Sequence, residues 1–353
     1  MTALLGPAAA TADREVLALA QQFVAAAGSS LAATTQGQYE QPWQAFLRWW
    51  QDRRLPGTVY DTPPALVGLY LFAIYRSAQE DSVGPGRVRL ASAAIHHHFS
   101  AIGRPSPTEH PLGGVARALA SRHLVPQQRR RDAFTATHLA TFLGKFGGGD
   151  ADLLQLMMCT AVALGFFAFL RYDDLAEVCV HSDLLLLTPS HLEVFLPRSK
   201  TDQRWQGSWV VVGRTGTPLC PVALVERLLA AGGYRTTPSG PDEDVGPLLR
   251  TVQHTSAGGR LQRLVGTAQQ PVRAMSYTAF RERLTRMCLA ARIPEHITPH
   301  SLRIGGNSEA AARGVPAELR MAHGRWLSPQ MVALYTRREP AAAIDLARRL
   351  GLP

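Results

Sequence analysis

The chain has 353 residues and a formal net charge of +10, because 37 lysine and arginine residues face 27 acidic ones. The length favours two domains over one, and 46% apolar against 18% charged residues excludes a disordered chain. The basic excess favours a polyanionic partner, although charge alone does not separate DNA from RNA or an anionic membrane. The only lysines are Lys145 and Lys200, so a lysine at a chemically meaningful position is informative here.

The first 122 residues have the pattern of an all-helical domain. Apolar residues recur at helical spacing between breaks rich in Pro, Gly and Ser, and no segment has the alternation of a strand. The predicted helices are Arg14–Ala27, Thr35–Arg54, Thr62–Gln79, Gly86–Ile102 and Pro107–Arg122. The polar, Pro-containing basic run at residues 123–132 is interpreted as an interdomain linker, and the basic excess is shared about equally between its two sides.

Residues 133–353 combine helices with a few strands, so the predicted fold class is mainly α with a small antiparallel β-sheet in the second domain. Helices are predicted at 135–146, 150–164, Val222–Ala231, Thr278–Ala291, Ser301–Arg313, Pro329–Arg337 and Ala341–Leu350. Strands are predicted at Leu184–Leu187, Leu192–Leu196 and Ser208–Val212. The uncharged run Leu153–Leu170 favours a buried core helix over a membrane span, because polar residues interrupt it and charges flank it closely.

The cysteines suggest a reducing compartment. Cys159, Cys179, Cys220 and Cys288 lie far apart and form no C-x-x-C pair, so neither a disulfide framework nor a metal cluster is expected. The segment Met1–Ala10 lacks the basic start of a signal peptide. We therefore expect a protein that is not secreted. It would be cytoplasmic or nucleoid-associated in a prokaryote, and nuclear in a eukaryote.

Five features of the second half carry side chains that could act together on a phosphodiester. They are Arg171 with Asp174, Lys200 in Pro197-Arg-Ser-Lys-Thr201, His300 with Arg303, Trp326, and Tyr335. On a helix, His300 and Arg303 share one face. Guanidinium, imidazole, indole and ammonium groups are all hydrogen-bond donors, which suits a phosphate whose oxygens gain charge in a transition state. Tyr335 is the candidate nucleophile, and a phenol needs proton removal or cationic neighbours to attack.

Each of these residues also has a simple structural interpretation when taken alone. Tyr335 and Trp326 are residue types that usually lie in or beside a core. Arg171 could interact with a helix dipole, His300 could cap a helix after a proline, and Lys200 could be a solvated hairpin charge. The functional interpretation therefore depends on their joint occurrence.

The joint pattern resembles the tyrosine site-specific recombinases, the integrase family that includes the Cre-type enzymes. The matching segments are Gly165–Asp174, Pro197–Thr201, Thr298–Gly306 and Gly324–Tyr335. Many members have a histidine nine residues before the tyrosine, where this chain has Trp326, which still offers an indole N–H. His323 lies near that position but out of register, so it is not assigned a catalytic role.

The resemblance implies a mechanism that needs no metal, cofactor or ATP. The scissile phosphate would be bound by four side chains, Arg171, His300, Arg303 and Trp326. Tyr335 would attack it to form a 3′-phosphotyrosyl link, Lys200 would protonate the departing 5′-oxygen, and Asp174 would orient Arg171. A lysine suits the acid role because a cationic, buried site lowers its pKa, whereas arginine stays protonated.

The resemblance also implies an assembly on DNA. An all-α core-binding domain (residues 1–122) and an α+β tyrosine recombinase catalytic domain (residues 133–353) would form a basic clamp around duplex DNA with an inverted-repeat target site. Contacts to DNA phosphates, which position a protein without reading sequence, are expected from Arg87, Arg89, Arg104, Arg129, Arg130 and Arg131. The run His96–His98 is expected to be DNA-facing polar surface. The C-terminal helix, residues 341–350, would either pack on its own domain or dock in a neighbouring protomer of a homotetramer.

Three alternatives remain open from the sequence. A type IB topoisomerase or a telomere-resolving enzyme shares the cleavage chemistry but not the exchange of strands. A domesticated DNA-binding protein could keep the fold without cleaving. A helical protein with another anionic ligand would show no salt-dependent binding to duplex DNA.

Overall fold

The computed structural model describes residues 13–28, 33–125, 132–197, 206–217, 219–237, 246–255, 258–262 and 274–337. The chain divides into two compact units, Met1–Arg129 and Arg130–Pro353, and each has its own hydrophobic core. Three sequence-based predictions lie wholly or mostly outside the described residues: Lys200, the linker 123–132 with its run Arg129–Arg131, and the C-terminal helix 341–350.

The first unit is helical throughout its described residues. Its helices are α1 Arg14–Gly28, α2 Ala33–Asp52, α3 Pro64–Glu80, α4 Gly86–Ser100 and α5 Pro111–His123, with single 3-10 turns at Val59–Asp61 and Pro107–Glu109. The core is aromatic, with Phe46 of α2 packed on Tyr70 of α3 at a ring separation of 5.0 Å. The fifth helix begins later than predicted because Ser106 caps a separate 3-10 turn and Pro111 then opens α5.

The second unit joins helices to a small sheet. Its helices are α6 Ala136–Phe146, α7 Leu153–Phe167, α8 Tyr172–Ala176, α9 Pro221–Gly232, α10 Tyr277–Ala290, α11 Pro299–Ala312, α12 Ala317–Gly324 and α13 Pro329–Leu334. The strands β1 Leu185–Leu187, β2 His191–Leu196 and β3 Ser208–Gly213 form an antiparallel sheet in the order β1-β2-β3. The sequence did not predict α8, α12 or the hairpin of β4 Val252–Thr255 and β5 Gly258–Leu261, because each is too short to show a clear period.

Helix α7 is the centre of the larger core, as the sequence predicted. A capping box begins it: Asp152 Oδ1 accepts from the Gln155 amide at 2.8 Å, and Gln155 Oε1 accepts from the Asp152 amide at 3.0 Å. The whole stretch Leu156–Phe166 is buried. Within the described ranges, no helix has both the length and the apolar character that crossing a membrane requires.

Two adjacent glycines bring α11 into close contact with the rest of the core. A Cβ at Gly305 would overlap the Phe134 carbonyl, and a Cβ at Gly306 would overlap the Phe166 carbonyl at the end of α7. The Phe134 amide also donates to the Ser301 carbonyl at 3.0 Å. Because two backbone segments clamp α11, the side chains of its first turn have fixed positions.

Candidate active site

Four elements bring most of the predicted chemical residues into one pocket. Arg171 is the N-cap of α8, His300 and Arg303 lie in the first turn of α11, Trp326 follows α12, and Tyr335 is the C-cap of α13. The Tyr335 ring lies 4.9 Å from the His300 ring and 5.2 Å from the Trp326 ring, between centroids. The Arg303 guanidinium carbon lies 4.3 Å from the Trp326 centroid and 5.4 Å from that of Tyr335. The separate sequence motifs therefore converge in space.

Arg303 is the buried centre of this pocket, with 0% of its surface exposed. Its Nη1 donates to the Phe169 carbonyl and its Nη2 donates to the Gly324 carbonyl. Burial, together with the positive charges of Arg171 and Arg325, lowers the pKa of Arg303 to about 9. Arg303 is therefore still protonated at neutral pH, and the pocket contains a buried positive charge.

Several donors in the pocket have no acceptor among the described residues. They are Arg171 Nη1, Arg303 Nε, Arg325 Nε and Trp326 Nε1. A buried donor without an acceptor costs about 1–3 kcal/mol, and folded proteins keep few of them. Donors of this kind around a cationic centre indicate a pocket built to bind an anion with several oxygen atoms.

Asp174 is the acid of the pocket and is only 2% exposed. Its Oδ2 accepts from the Arg171 amide at 2.9 Å and lies 3.4 Å from Arg325 Nη2. Among described side chains the ion pair of Asp174 is thus with Arg325, while its hydrogen bond to Arg171 is through the main chain. Arg325 was missed at the sequence level, and the signal that could have found it is a further arginine directly before the predicted tryptophan.

His323 supports the wall of the pocket. Its Nε2–H donates to the Phe167 carbonyl at 2.7 Å, and its ring lies 4.7 Å from the Phe169 ring in an edge-on contact. Burial lowers the pKa of His323; the hydrogen bond to the Phe167 carbonyl acts against this, and Arg325 and Arg303 add smaller lowering contributions. A neutral imidazole that supports the Phe167–Phe169 turn is a structural group.

Comparisons with known proteins identify the fold. No family model matches the chain, and no curated protein matches it. The XerH site-specific recombinase bound to palindromic difH substrate is similar at 11% identity and a TM-score of 0.57, over 88% of this chain and 78% of that one. The Tn1549 transposon integrase in complex with transposon right end DNA is similar at 14% identity and a TM-score of 0.56, over 94% of this chain and 99% of that one.

A lambda integrase dimer bound to a COC′ core site is also similar, at 12% identity and a TM-score of 0.53, over 90% of this chain and 77% of that one. The chain has the fold of the tyrosine recombinases. The predicted fold class, mainly helical with a small antiparallel sheet in the second unit, is confirmed.

The arginines proposed to contact DNA from the first unit have partners within that unit. Arg87 pairs with Asp81, and Arg89 Nη2 donates to Ser121 Oγ at 3.2 Å. Arg104 Nη1 lies 3.0 Å from Asp61 Oδ1 and also donates to the Tyr60 carbonyl at 2.9 Å. Contact of these arginines with DNA stays a prediction.

The run His96–His98 does not form a single polar surface. His96 is exposed, whereas His98 is half-buried and stacks on Trp43 with a ring separation of 4.2 Å and an interplanar angle of 11°. Burial, and to a smaller extent His97, lower the pKa of His98 to about 4. The expectation of a DNA-facing histidine run was wrong for His98, because successive residues on α4 point to different sides.

Proposed function

We propose that this protein cleaves and rejoins duplex DNA as a site-specific recombinase of the tyrosine type. The observation that carries the proposal is the position of the Tyr335 ring beside buried donors that lack acceptors among the described residues. A phosphodiester in the pocket would offer its non-bridging oxygens to Arg171 Nη1, Arg303 Nε and Trp326 Nε1. Donors aimed at developing negative charge are the largest contribution to catalysis in many enzymes.

The reaction follows from this arrangement. The Tyr335 Oη attacks phosphorus, the bond from phosphorus to the 5′-oxygen breaks, and the DNA 3′ end stays attached to the tyrosine. The phenolic proton of Tyr335 passes to water, and the 5′-oxygen receives a proton from Lys200, a role that is assigned by resemblance because Lys200 lies outside the described residues. Attack by a 5′-hydroxyl reverses these steps. The phosphotyrosine bond conserves the energy of the broken bond, so rejoining needs no ATP.

The similar structures support duplex DNA as the substrate. XerH, the Tn1549 integrase and lambda integrase are each described as bound to DNA, and the difH substrate is palindromic. We therefore propose an inverted-repeat target site for this chain as well. Assembly into a homotetramer through residues 341–350 is part of the same proposal and rests on the family resemblance.

A suicide DNA substrate tests the proposal. Candidate sites are any inverted repeats found in the DNA that flanks the gene, synthesised with a nick in the spacer so that the cleaved strand diffuses away. We expect a covalent adduct with the unaltered protein and none with Tyr335→Phe, while both bind the duplex equally. Tyr277→Phe is the matched control, since Tyr277 is an exposed tyrosine of the same unit.

The alternatives predict different results in the same assay. Binding without an adduct on the cognate site would identify a non-cleaving DNA-binding protein. Relaxation of supercoiled DNA without strand exchange would indicate a topoisomerase, and hairpin ends would indicate a telomere-resolving enzyme. No salt-dependent duplex binding at all would point to another anionic ligand.

A further inference from the structure

Arg325 has a backbone conformation that disfavours any residue with a side chain. It is the C-cap of α12 with φ 54° and ψ 42°, in the left-handed region where glycine is normally found. The φ angle of Arg325 orients the Gly324–Arg325 peptide plane, and the Gly324 carbonyl accepts from Arg303 Nη2. The left-handed turn therefore helps to hold the central arginine of the pocket.

The side chain of Arg325 makes two polar contacts that a glycine could not make. Its Nη1 donates to the His323 carbonyl at 3.3 Å, and its Nη2 lies 3.4 Å from Asp174 Oδ2. Burial lowers the pKa of Arg325, and Asp174 acts in the opposite direction. The buried Asp174 carboxylate thus has a cation beside it, as buried carboxylates require.

The position of Asp174 makes its pairing important for Arg171. Asp174 already accepts from the Arg171 amide at 2.9 Å, and the positive charge of Arg171 is close enough to lower the pKa of Arg325, the partner of Asp174. The flexible side chain of Arg171 could therefore turn towards Asp174 by rotation about its own bonds. Arg303 is less free to turn towards Asp174, because two main-chain carbonyls hold its guanidinium. If Arg325 were removed, Arg171 would be the cation available to neutralise Asp174.

We infer that Arg325 is a positioning residue. By forming an ion pair with Asp174, it keeps the Arg171 guanidinium available to a bound phosphate. The identity of that phosphate as a DNA phosphodiester rests on the proposed function. The ion pair of Arg325 with Asp174 does not depend on it. Arg325 acts through Asp174 and Arg171, and the inference requires no contact between Arg325 and the substrate.

The test is a double-mutant cycle with inorganic phosphate as the probe and the thermal unfolding midpoint as the readout. The variants are Arg325→Gly, Asp174→Asn and the two combined. Phosphate raises the unfolding midpoint when it binds, and only the part of this rise that is lost in Arg303→Gln is counted, because that part reports binding in this pocket. We expect Arg325→Gly to weaken phosphate binding by about 10-fold or more, the range for a lost charge-assisted hydrogen bond. The combined variant should recover binding to within about threefold, because asparagine has no charge to attract Arg171.

Arg292→Gly is the matched control. Arg292 is an exposed arginine of the same unit with φ 57°, so this change also relieves a left-handed conformation. It should leave phosphate binding unchanged. In Arg292→Gly the midpoint without phosphate should stay the same or rise. Arg325→Gly also loses the ion pair with Asp174 and should lower that midpoint, so each phosphate-induced shift is measured from the variant's own phosphate-free midpoint.

Three results would overturn the inference: unchanged phosphate binding in Arg325→Gly, equally weak binding in the single and combined variants, or no Arg303-dependent shift in the unaltered protein. The rate of adduct formation on a suicide substrate should follow the same order of variants. If the unaltered protein binds phosphate but forms no adduct, the proposed function fails while the phosphate cycle still decides the role of Arg325.

Discussion

Two groups of arginines in this molecule have the same formal charge but very different surroundings. In the first unit, each has an acceptor from its own unit: Arg87, Arg89 and Arg104. In the second unit, three arginines have buried donor atoms without acceptors among the described residues: Arg171, Arg303 and Arg325. Net charge counts both groups equally, so the unsatisfied buried donor is the better marker of an anion site.

The two groups also differ in what they cost the folded state. An exposed ion pair such as Arg87 with Asp81 changes stability by about 0–1 kcal/mol. A buried ion costs several kcal/mol unless it is paired, and among the described side chains of the pocket Arg325 has an ion pair with Asp174 whereas Arg171 and Arg303 have none. A bound phosphate would supply the missing negative charge. On the proposed function, the unpaired charges of the pocket therefore lower the stability of the free protein and favour binding of a phosphate.

Substitution of one arginine from each group tests this comparison most strongly. We expect Arg303→Gln to slow single-turnover adduct formation by about 100- to 1,000-fold, the usual loss for a donor that stabilises transition-state charge. At saturating protein concentration, Arg89→Gln should change that rate less than about threefold, because a phosphate contact of the first unit would affect DNA binding and not the chemical step. Equal losses in the two variants would show that burial and missing acceptors do not distinguish the groups.

A glycine pair tests whether the tight packing of α11 supports the pocket. Gly305→Ala should lower the free energy of unfolding of the second unit by about 1–3 kcal/mol, because its Cβ overlaps the Phe134 carbonyl. Gly144→Ala is the control in α6, where the added Cβ meets nothing and should stabilise by about 0.5–1 kcal/mol. Urea unfolding measures both. A Gly305→Ala protein as stable as the unaltered one would contradict the close approach.

The convergence of Arg171, Trp326 and Tyr335 was predicted from the resemblance of their motifs to the tyrosine recombinases, because spacing alone does not bring together residues so far apart in the chain. The sequence itself predicted α7, whose apolar run and capping box are continuous in the chain. It could not predict the ion pair of Arg325 with Asp174, because that contact joins residues far apart in sequence and depends on a left-handed turn. Nor could it separate paired from unpaired arginines, because their acceptors include distant groups such as Ser121 Oγ.

The pH dependence of the first unit gives the smallest expected effect, since His98 is only half-buried and solvent screens its charge. Its pKa is about 4 in the folded unit and about 6.5 in the unfolded chain. Between these values the unfolded chain binds a proton and the folded unit does not, so the free energy of unfolding falls as the pH decreases. Above pH 6.5 this contribution to stability is fully present.

His98→Phe removes the titration and keeps the stack on Trp43, so its stability should fall less than that of the unaltered protein between pH 7 and about 4.5. Urea unfolding at the two pH values, followed by tryptophan fluorescence, measures the difference. His96→Gln, at an exposed position of the same helix, should keep the original pH dependence. If His98→Phe kept it too, then His98 would be solvated, and its assignment as a residue stacked on Trp43 would be wrong.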